Sequence, residues 1–226
     1  MTEQEWLNER VRPQGMVWSF QGTSVTRTKT GRRKLRLFGC ACCRLFWDHL
    51  WDDRLRQAVE VAEALADGRA TKQHLDEART AVEPLTADSY HATAGHGTRE
   101  STAASLVSGL TQTGAFDAAF AMTYYELPLA GYCGHEREAN GTICNLLRDI
   151  FGNPFRPVAF APGWRTDTAV TLARQMYESR EFSAMPILAD ALQDAGCDEP
   201  AILDHCRAPG EHVRGCWVVD MVLGKE

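Results

Sequence analysis

The stretch RRKLRLFGCACCRLFWDHLW, residues 32–51, decides the fold. Its apolar side chains recur three or four positions apart, as at Leu35, Phe38, Cys42 and Leu45. This spacing places them on one side of an α-helix and gives that helix a wide apolar face. Few segments of the chain alternate apolar and polar residues with the period of two that is typical of half-buried strands. The sequence therefore predicts an all-α fold.

The same spacing predicts helices before and after this stretch. They are expected at 3–10, 53–67, 71–83, 101–127, 135–151, 166–177, 183–195, 199–206 and 213–223. Pro84 and Pro128 are expected to end the helices that precede them, because proline lacks the N–H group that a helix interior requires. Residues 21–31 are rich in glycine, serine and threonine and are expected to form a loop, and residues 86–100 a loop or a weak helix.

The segment NPFRPVAFAPGW, residues 153–164, contains three prolines and is predicted to be an extended connector. Proline restricts its own backbone and that of the residue before it. The chain has 226 residues, of which 44% are hydrophobic and 24% charged, so it can bury a core without disulfide bonds. We therefore predict one compact, bundle-like helical domain over residues 1–226, with a soft boundary near 85–100.

Charge and hydropathy narrow the classes of partner. The net charge of −6 argues against bulk attraction to nucleic acid or to an anionic membrane. No apolar run approaches the length of a transmembrane helix, and the start MTEQEWLNER lacks the basic and apolar regions of a signal peptide. Eight cysteines in such a chain indicate a reducing compartment. We expect a cytoplasmic protein without a membrane partner, whose thiols are free or bound to metal.

The C-terminal stretch GCDEPAILDHCRAPGEHVRGCWVVDMVLGKE, which begins at Gly196, concentrates cysteine and histidine. Thiolates and imidazoles are the preferred ligands of zinc. Their spacing matches no standard zinc template, and a C-x-x-C…C-x-x-C pattern is absent. Two interpretations stay open: buried cysteines that fill the core without any cofactor, which we favour, or a zinc site. The candidate ligands are Cys197, His205, Cys206, His212 and Cys216, together with Cys40 and Cys43.

Two further motifs that contain cysteine are weaker indications of a metal, redox or catalytic site. Cys40 and Cys43 form a C-x-x-C pair, which can hold a metal or act in redox chemistry, but they lie well inside a predicted helix rather than at its start. Cys133, His135 and Glu136 could support nucleophilic catalysis, yet a catalytic pair is normally assembled from distant parts of a chain. We interpret the first motif as helix packing and the second as the polar start of a helix.

A basic run suggests an anion site. Seven basic residues and no acidic residue lie between Arg27 and Arg44. Such a segment can bind phosphates, or it can dock on the protein's own acidic groups. The candidate anion-binding or nucleic-acid-binding residues are Arg32, Arg33, Lys34 and Arg36, with Arg148 and Arg156 beside the proline-rich connector.

Several long phrases carry a resemblance: KLRLFGCACCRLFW (34–47), RQAVEVAEALADG (56–68), LLRDIFGNPFRPV (146–158) and the C-terminal stretch. Through them the chain resembles an uncharacterised protein family that is widespread in planctomycete-type bacteria. The resemblance covers about half of the chain and brings no assigned activity, cofactor or catalytic residue. It implies a cytoplasmic bacterial protein.

Three functions follow from these observations. The main prediction is a helical adaptor without catalysis that binds another protein, because no catalytic template is present and six tryptophans could mark a partner surface. The alternative is a zinc- or thiol-dependent hydrolase that uses the C-terminal cysteines and histidines, with Asp204 or Asp220 orienting a histidine. The second alternative is nucleic-acid binding through residues 27–44, which the overall charge disfavours.

Overall fold

The computed structural model describes residues 1–91, 98–132 and 136–225, and within them the backbone forms helices, turns and irregular segments but no strand. The all-α prediction is confirmed. Short 3-10 helices cover Trp47–His49 and Pro162–Trp164. The α-helices of the described residues are α1 (Glu3–Leu7), α2 (Pro13–Trp18), α3 (Ser24–Arg27), α4 (Lys29–Arg44), α5 (Asp53–Ala66), α6 (Lys72–His91), α7 (Arg99–Leu110), α8 (Ala115–Tyr132), α9 (Glu136–Phe151), α10 (Asp167–Ser179), α11 (Met185–Asp194), α12 (Pro200–Arg207) and α13 (Trp217–Leu223).

Contacts between Cα atoms divide the chain into two compact units. Unit 1 is Met1–Leu147 and unit 2 is Arg148–Glu226. The single domain over residues 1–226 stays a prediction. So does the soft boundary near 85–100, of which residues 92–97 lie outside the described part of the chain.

Helix α4 is central to unit 1, where it packs against α5, α7 and α8. The side chains of Leu35, Phe38 and Cys42 are fully buried, as the apolar spacing predicts. The helix begins earlier than expected, because Thr28 caps it by accepting a hydrogen bond from the backbone N–H of Gly31 at 3.0 Å. A Cβ atom on Gly31 would lie 2.1 Å from the Val25 carbonyl oxygen. Glycine thus lets the short helix α3 pack where a loop was expected over residues 21–31.

Two prolines do not end the helices that contain them, which corrects the expected helix ends. Helix α6 continues through Pro84 to His91, so residues 86–91 are helical. The backbone of α8 likewise continues through Pro128. Pro84 and Thr80, whose carbonyl loses its intrahelical donor, both face solvent, so water can hydrate that carbonyl.

The predicted helix over 101–127 is interrupted, so that α7 and α8 are separate helices. Arg36 of α4 explains the position of the break. Its buried guanidinium donates hydrogen bonds to the carbonyl oxygens of Leu110 at 2.6 Å, Gln112 at 2.7 Å and Thr113 at 3.1 Å. These carbonyls end α7 and form the following turn, so a distant arginine satisfies acceptors that have no intrahelical donor. Local sequence spacing contains no trace of this contact.

Unit 2 begins with the last turn of α9 and an irregular connector that has no α-helical residue between Gly152 and Ala161, as predicted. Helices α10 to α13 then enclose one hydrophobic core. Thr166 caps α10 and Glu199 caps α12 with side-chain oxygens that accept backbone N–H bonds. The fully buried core side chains include Ala169, Ala173, Leu188, Ala189, Leu192, Ile202, Cys216, Val218, Val219 and Val222.

Gly152 fixes the end of α9. Its φ of 64° lies in the left-handed region, which glycine adopts at low cost and which stops a helix. A Cβ atom at this position would also lie 3.3 Å from the ring of Trp217, tighter than ordinary packing. The chain thus turns away directly after the last turn of α9, which contains Asp149.

Candidate metal centre

Four side chains of unit 2 converge on one point: Asp149, His205, His212 and Cys216. Asp149 lies in the last turn of α9 and His205 in α12, whereas the other two lie in the irregular segment 208–216 before α13. One oxygen, two nitrogens and one sulfur from these residues all lie within 4.8 Å of one another. The structure therefore joins three distant parts of unit 2 around a set of metal-ligand atoms.

The distances within this cluster are short. His205 Nε2 lies 3.2 Å from Asp149 Oδ1 and 3.2 Å from Cys216 Sγ. His212 Nδ1 lies 2.6 Å from the same Asp149 oxygen and 3.9 Å from the sulfur. The other carboxylate oxygen, Oδ2, accepts a hydrogen bond from the backbone N–H of Val213 at 3.0 Å. Asp149 is thus held in place from outside the cluster while its Oδ1 faces the three other donors.

These spacings suit a tetrahedral ion. Zinc bonds of about 2.0–2.1 Å to nitrogen or oxygen and about 2.3 Å to sulfur place neighbouring ligands about 3.3–3.6 Å apart. The two contacts of His205 come close to that separation, and the 3.9 Å spacing is slightly wider. The Asp149–His212 contact, at hydrogen-bond length, has to lengthen by about 0.7 Å and the His205–Cys216 contact by about 0.3 Å to reach an ideal tetrahedron.

The electrostatics of the cluster place negative charge at a buried point. Burial alone would raise the pKa of Asp149, but hydrogen bonds with His205 and His212 and their charges outweigh it and lower the pKa below its ordinary value. Burial and then the Asp149 charge raise the pKa of the Cys216 thiol well above its ordinary range. A divalent cation reverses this effect, because it favours the thiolate. The carboxylate and one thiolate would together balance the charge of a divalent ion.

The same geometry does not form a nucleophilic triad. In a triad the histidine contacts the nucleophile through one ring nitrogen and the carboxylate through the other. His205 faces both Cys216 and Asp149 with Nε2. Cys216 is also fully buried, and its raised pKa is the opposite of what an activated thiol requires.

Three of the seven predicted ligands belong to this cluster, namely His205, His212 and Cys216. Both His212 and Cys216 lie before the last helix, because α13 begins only at Trp217 rather than at the predicted residue 213. Cys197 and Cys206 lie in the hydrophobic core of unit 2 and do not belong to the cluster. Burial raises the pKa of Cys206 to about 12 and also raises that of Cys197, as for inert core thiols.

Cys40 and Cys43 lie in the core of unit 1 and do not belong to the cluster. The Cys40 thiol faces the Val59 carbonyl at 3.9 Å, and the Cys43 sulfur lies 3.9 Å from the sulfur of Met122. Burial raises the pKa of Cys40 well above its ordinary value. The seven cysteines in the described residues are buried and form no disulfide bond, which agrees with their interpretation as core residues. Cys133 and His135 of the other predicted motif lie outside the described residues.

The basic run of α4 is largely engaged inside unit 1. Besides the buried Arg36, Arg33 forms an ion pair with the buried Asp67 at 3.3 Å, and the Arg32 guanidinium donates to the Arg27 carbonyl at 2.5 Å. Lys34 is partly buried on the same helix. Arg148 is partly buried and Arg156 is exposed, both in unit 2. Anion binding by these six residues stays a prediction, and the contacts of α4 favour the alternative of docking on the protein's own groups.

Sequence reasoning missed Asp149 as a member of the cluster. It named Asp204 or Asp220 as the carboxylate that orients a histidine. The structure places Asp149 there instead. The available signal was an acidic residue at the edge of the apolar face of α9, next to Ile150 and three positions after Leu146. Buried acids are rare unless they are paired or bind metal.

No protein-family model matches the chain, and comparisons with curated proteins and with solved structures find no similar protein. The resemblance to a planctomycete-type family therefore stays a prediction. Among the described residues, no helix has the length and hydrophobicity needed to span a bilayer.

Proposed function

We propose that unit 2 is a zinc-binding helical module whose ion is held by Asp149, His205, His212 and Cys216. The observation that supports this proposal is the convergence of four ligand atoms of the types that zinc prefers, all within 4.8 Å. A buried network held by hydrogen bonds alone explains the arrangement less well. His205 Nε2 can carry a single proton, yet it faces both a carboxylate and a sulfur at 3.2 Å.

The ligand set favours a structural rather than a catalytic ion. Structural zinc sites use four protein ligands, whereas catalytic sites commonly use three and leave a position for water. The cluster offers four, and it is enclosed: Cys216 is fully buried, and the side chains of His212 and His205 are 9% and 19% exposed. This supports the non-catalytic role expected from the sequence. It differs from the favoured sequence interpretation in that the core of unit 2 holds a zinc ion rather than no cofactor.

Purified full-length protein is expected to contain one zinc ion per chain by elemental analysis, and Cys216→Ala should lose it. Cys206→Ala is the matched control, because both cysteines are buried in unit 2 but only Cys216 belongs to the cluster. Cobalt-substituted wild-type protein should show a thiolate-to-metal charge-transfer band that Cys216→Ala lacks. Protein that binds no zinc from a micromolar solution, or equal loss in both variants, would contradict the proposal.

A second candidate function, binding of another protein, has support from an aromatic surface on unit 1. Trp18 of α2 and Tyr124 of α8 are 55% and 57% exposed, and they flank the half-buried Phe116 and Phe120. Ring centroids of Trp18 and Phe120 lie 5.4 Å apart, and those of Phe120 and Tyr124 lie 5.2 Å apart. Exposed aromatic residues in a continuous group are typical of protein interfaces. We propose that an apolar face of a partner protein covers this aromatic surface.

The double variant Trp18→Ser, Tyr124→Ser should reduce capture of that partner by about 30-fold or more, since an interface hot spot contributes about 2 kcal/mol. Quantitative cross-linking and mass spectrometry of proteins retained by wild type and variant would measure it. Trp51→Ser, which removes another exposed tryptophan, is the control. A set of captured proteins that is the same for all three chains would refute a role for the aromatic surface.

A further inference from the structure

We infer that the ion acts as a latch for the C-terminal helix α13, so that metal binding controls whether this helix stays docked on unit 2. The inference rests on the proposed zinc site and concerns what the ion holds in place. His212 and Cys216 lie in the segment 208–216, which connects α12 to α13 and contains no helical residue. Two of the four ligands therefore precede α13 directly, and Cys216 is its N-cap residue.

The segment 208–216 has few other attachments. Residues 208–211 are exposed, and the backbone N–H of Val213 bonds to Asp149, itself a proposed ligand. Arg214 supplies a further anchor, because its guanidinium donates to the carbonyl oxygens of Tyr177 at 2.7 Å and Glu178 at 3.2 Å, at the end of α10. Loss of the ion would remove the links through the metal from His212 and Cys216 to Asp149 and His205. The segment would then be held by hydrogen bonds to Asp149, by Arg214 and by the burial of Cys216.

Helix α13 cannot persist on its own. It has seven residues, and an isolated helix of this length is unstable in water. Its position depends on the burial of Val218, Val219 and Val222, and on Arg165, which donates to the carbonyl oxygens of Met221 and Val222. Undocking would expose these three valines and with them part of the core of unit 2. Whether the ion is bound therefore determines whether α13 covers the apolar core of unit 2 or leaves part of it exposed.

Hydrogen exchange of the full-length chain, zinc-loaded and after chelation, tests the latch. Amides of residues 208–223 should exchange roughly 10-fold faster or more after chelation, while those of α11 should change little. Equal acceleration throughout unit 2, or no acceleration in α13, would overturn the inference. Because zinc content is measured on the same samples, a chain that never binds zinc contradicts the proposed site, whereas a zinc-bound chain with unchanged exchange contradicts the latch alone.

Limited proteolysis supplies a second measurement. It also works if the amide hydrogens of the metal-free protein exchange too fast for their rates to be measured. Trypsin should cleave after Arg214 faster once zinc is removed, because the segment around it is released. Arg180, in the irregular segment between α10 and α11 of the same unit, is the internal control and should be cleaved at an unchanged rate. Acceleration at both sites would mean that the ion holds the whole unit, which would contradict a latch.

Discussion

Asp149→Asn is expected to weaken zinc binding by more than about 100-fold, because loss of a residue that only supports a zinc ligand already costs about 10–100-fold. The substitution changes charge rather than shape. With Asp149 and a Cys216 thiolate the site around a divalent ion is neutral, and with asparagine it carries one uncompensated positive charge. The site is buried, with Asp149 5% exposed, so water can screen little of that charge.

The same substitution separates a metal site from a hydrogen-bonded cluster. Asparagine keeps one oxygen that can accept from the Val213 N–H, and its NH2 group can donate to an unprotonated histidine nitrogen at the other position. If these hydrogen bonds were the purpose of the cluster, Asp149→Asn would cost about 1–2 kcal/mol of unfolding free energy and zinc would have no effect on stability. If the cluster is a zinc site, added zinc should stabilise the wild-type protein and should not stabilise the variant.

Asp220→Asn is the matched control for this comparison. Asp220 is a fully buried acid of unit 2 that does not belong to the cluster. Zinc affinity, measured by competition with a chromophoric chelator, should be nearly unchanged in this variant. Equal weakening in Asp149→Asn and Asp220→Asn would show that any lost buried charge disturbs the unit, and would remove the argument for Asp149 as a ligand.

Helix positions were largely predictable from sequence, because apolar spacing and caps are local. Helix α9 and the capped start of α10 at Thr166 lie where the pattern indicates. The errors arise where tertiary contacts outweigh local rules. Gly31 permits a close helix approach, and Arg36 ends α7 from more than 70 positions away. Neither contact leaves a periodic signal.

The candidate metal centre was only half predictable for the same reason. Cysteine and histidine are conspicuous in sequence because they are rare and chemically specific, so His205, His212 and Cys216 were found. Asp149 belongs to a residue type that is common on every surface, and it lies 56 positions before His205. Its role depends on the left-handed turn at Gly152 and on burial, which only the fold determines.

Several arginines of the chain satisfy helix ends internally, a role that the sequence does not reveal. Arg36, Arg165 and Arg214 each donate to backbone carbonyl oxygens at or next to the end of a helix, namely α7, α13 and α10. The last carbonyls of a helix lack intrahelical donors and carry partial negative charge, so a guanidinium suits them. A cluster of arginines in a helical protein can therefore reflect internal capping as well as anion binding.

Arg44→Met is expected to lower the unfolding free energy by about 3–5 kcal/mol, the usual cost of breaking a buried ion pair from one side. Arg44 binds Glu63 with two hydrogen bonds, of 2.5 and 3.0 Å, between α4 and α5. The Glu63 side chain is 3% exposed, so without Arg44 its carboxylate stays buried and loses both of these hydrogen bonds.

The reverse variant, Glu63→Leu, should cost less, because Arg44 is 22% exposed and packs over the Trp47 ring at 4.3 Å, so its charge can reach water. The double variant Arg44→Met, Glu63→Leu should recover most of the stability lost in Arg44→Met, as apolar replacements of buried pairs often do. Urea denaturation of all three chains measures this, with Arg79→Met, which breaks an exposed pair with Asp76, as a control expected to cost less than about 1 kcal/mol. Additive losses in the double variant would mean that the two side chains contribute independently and that their contact does not stabilise the packing of α4 on α5.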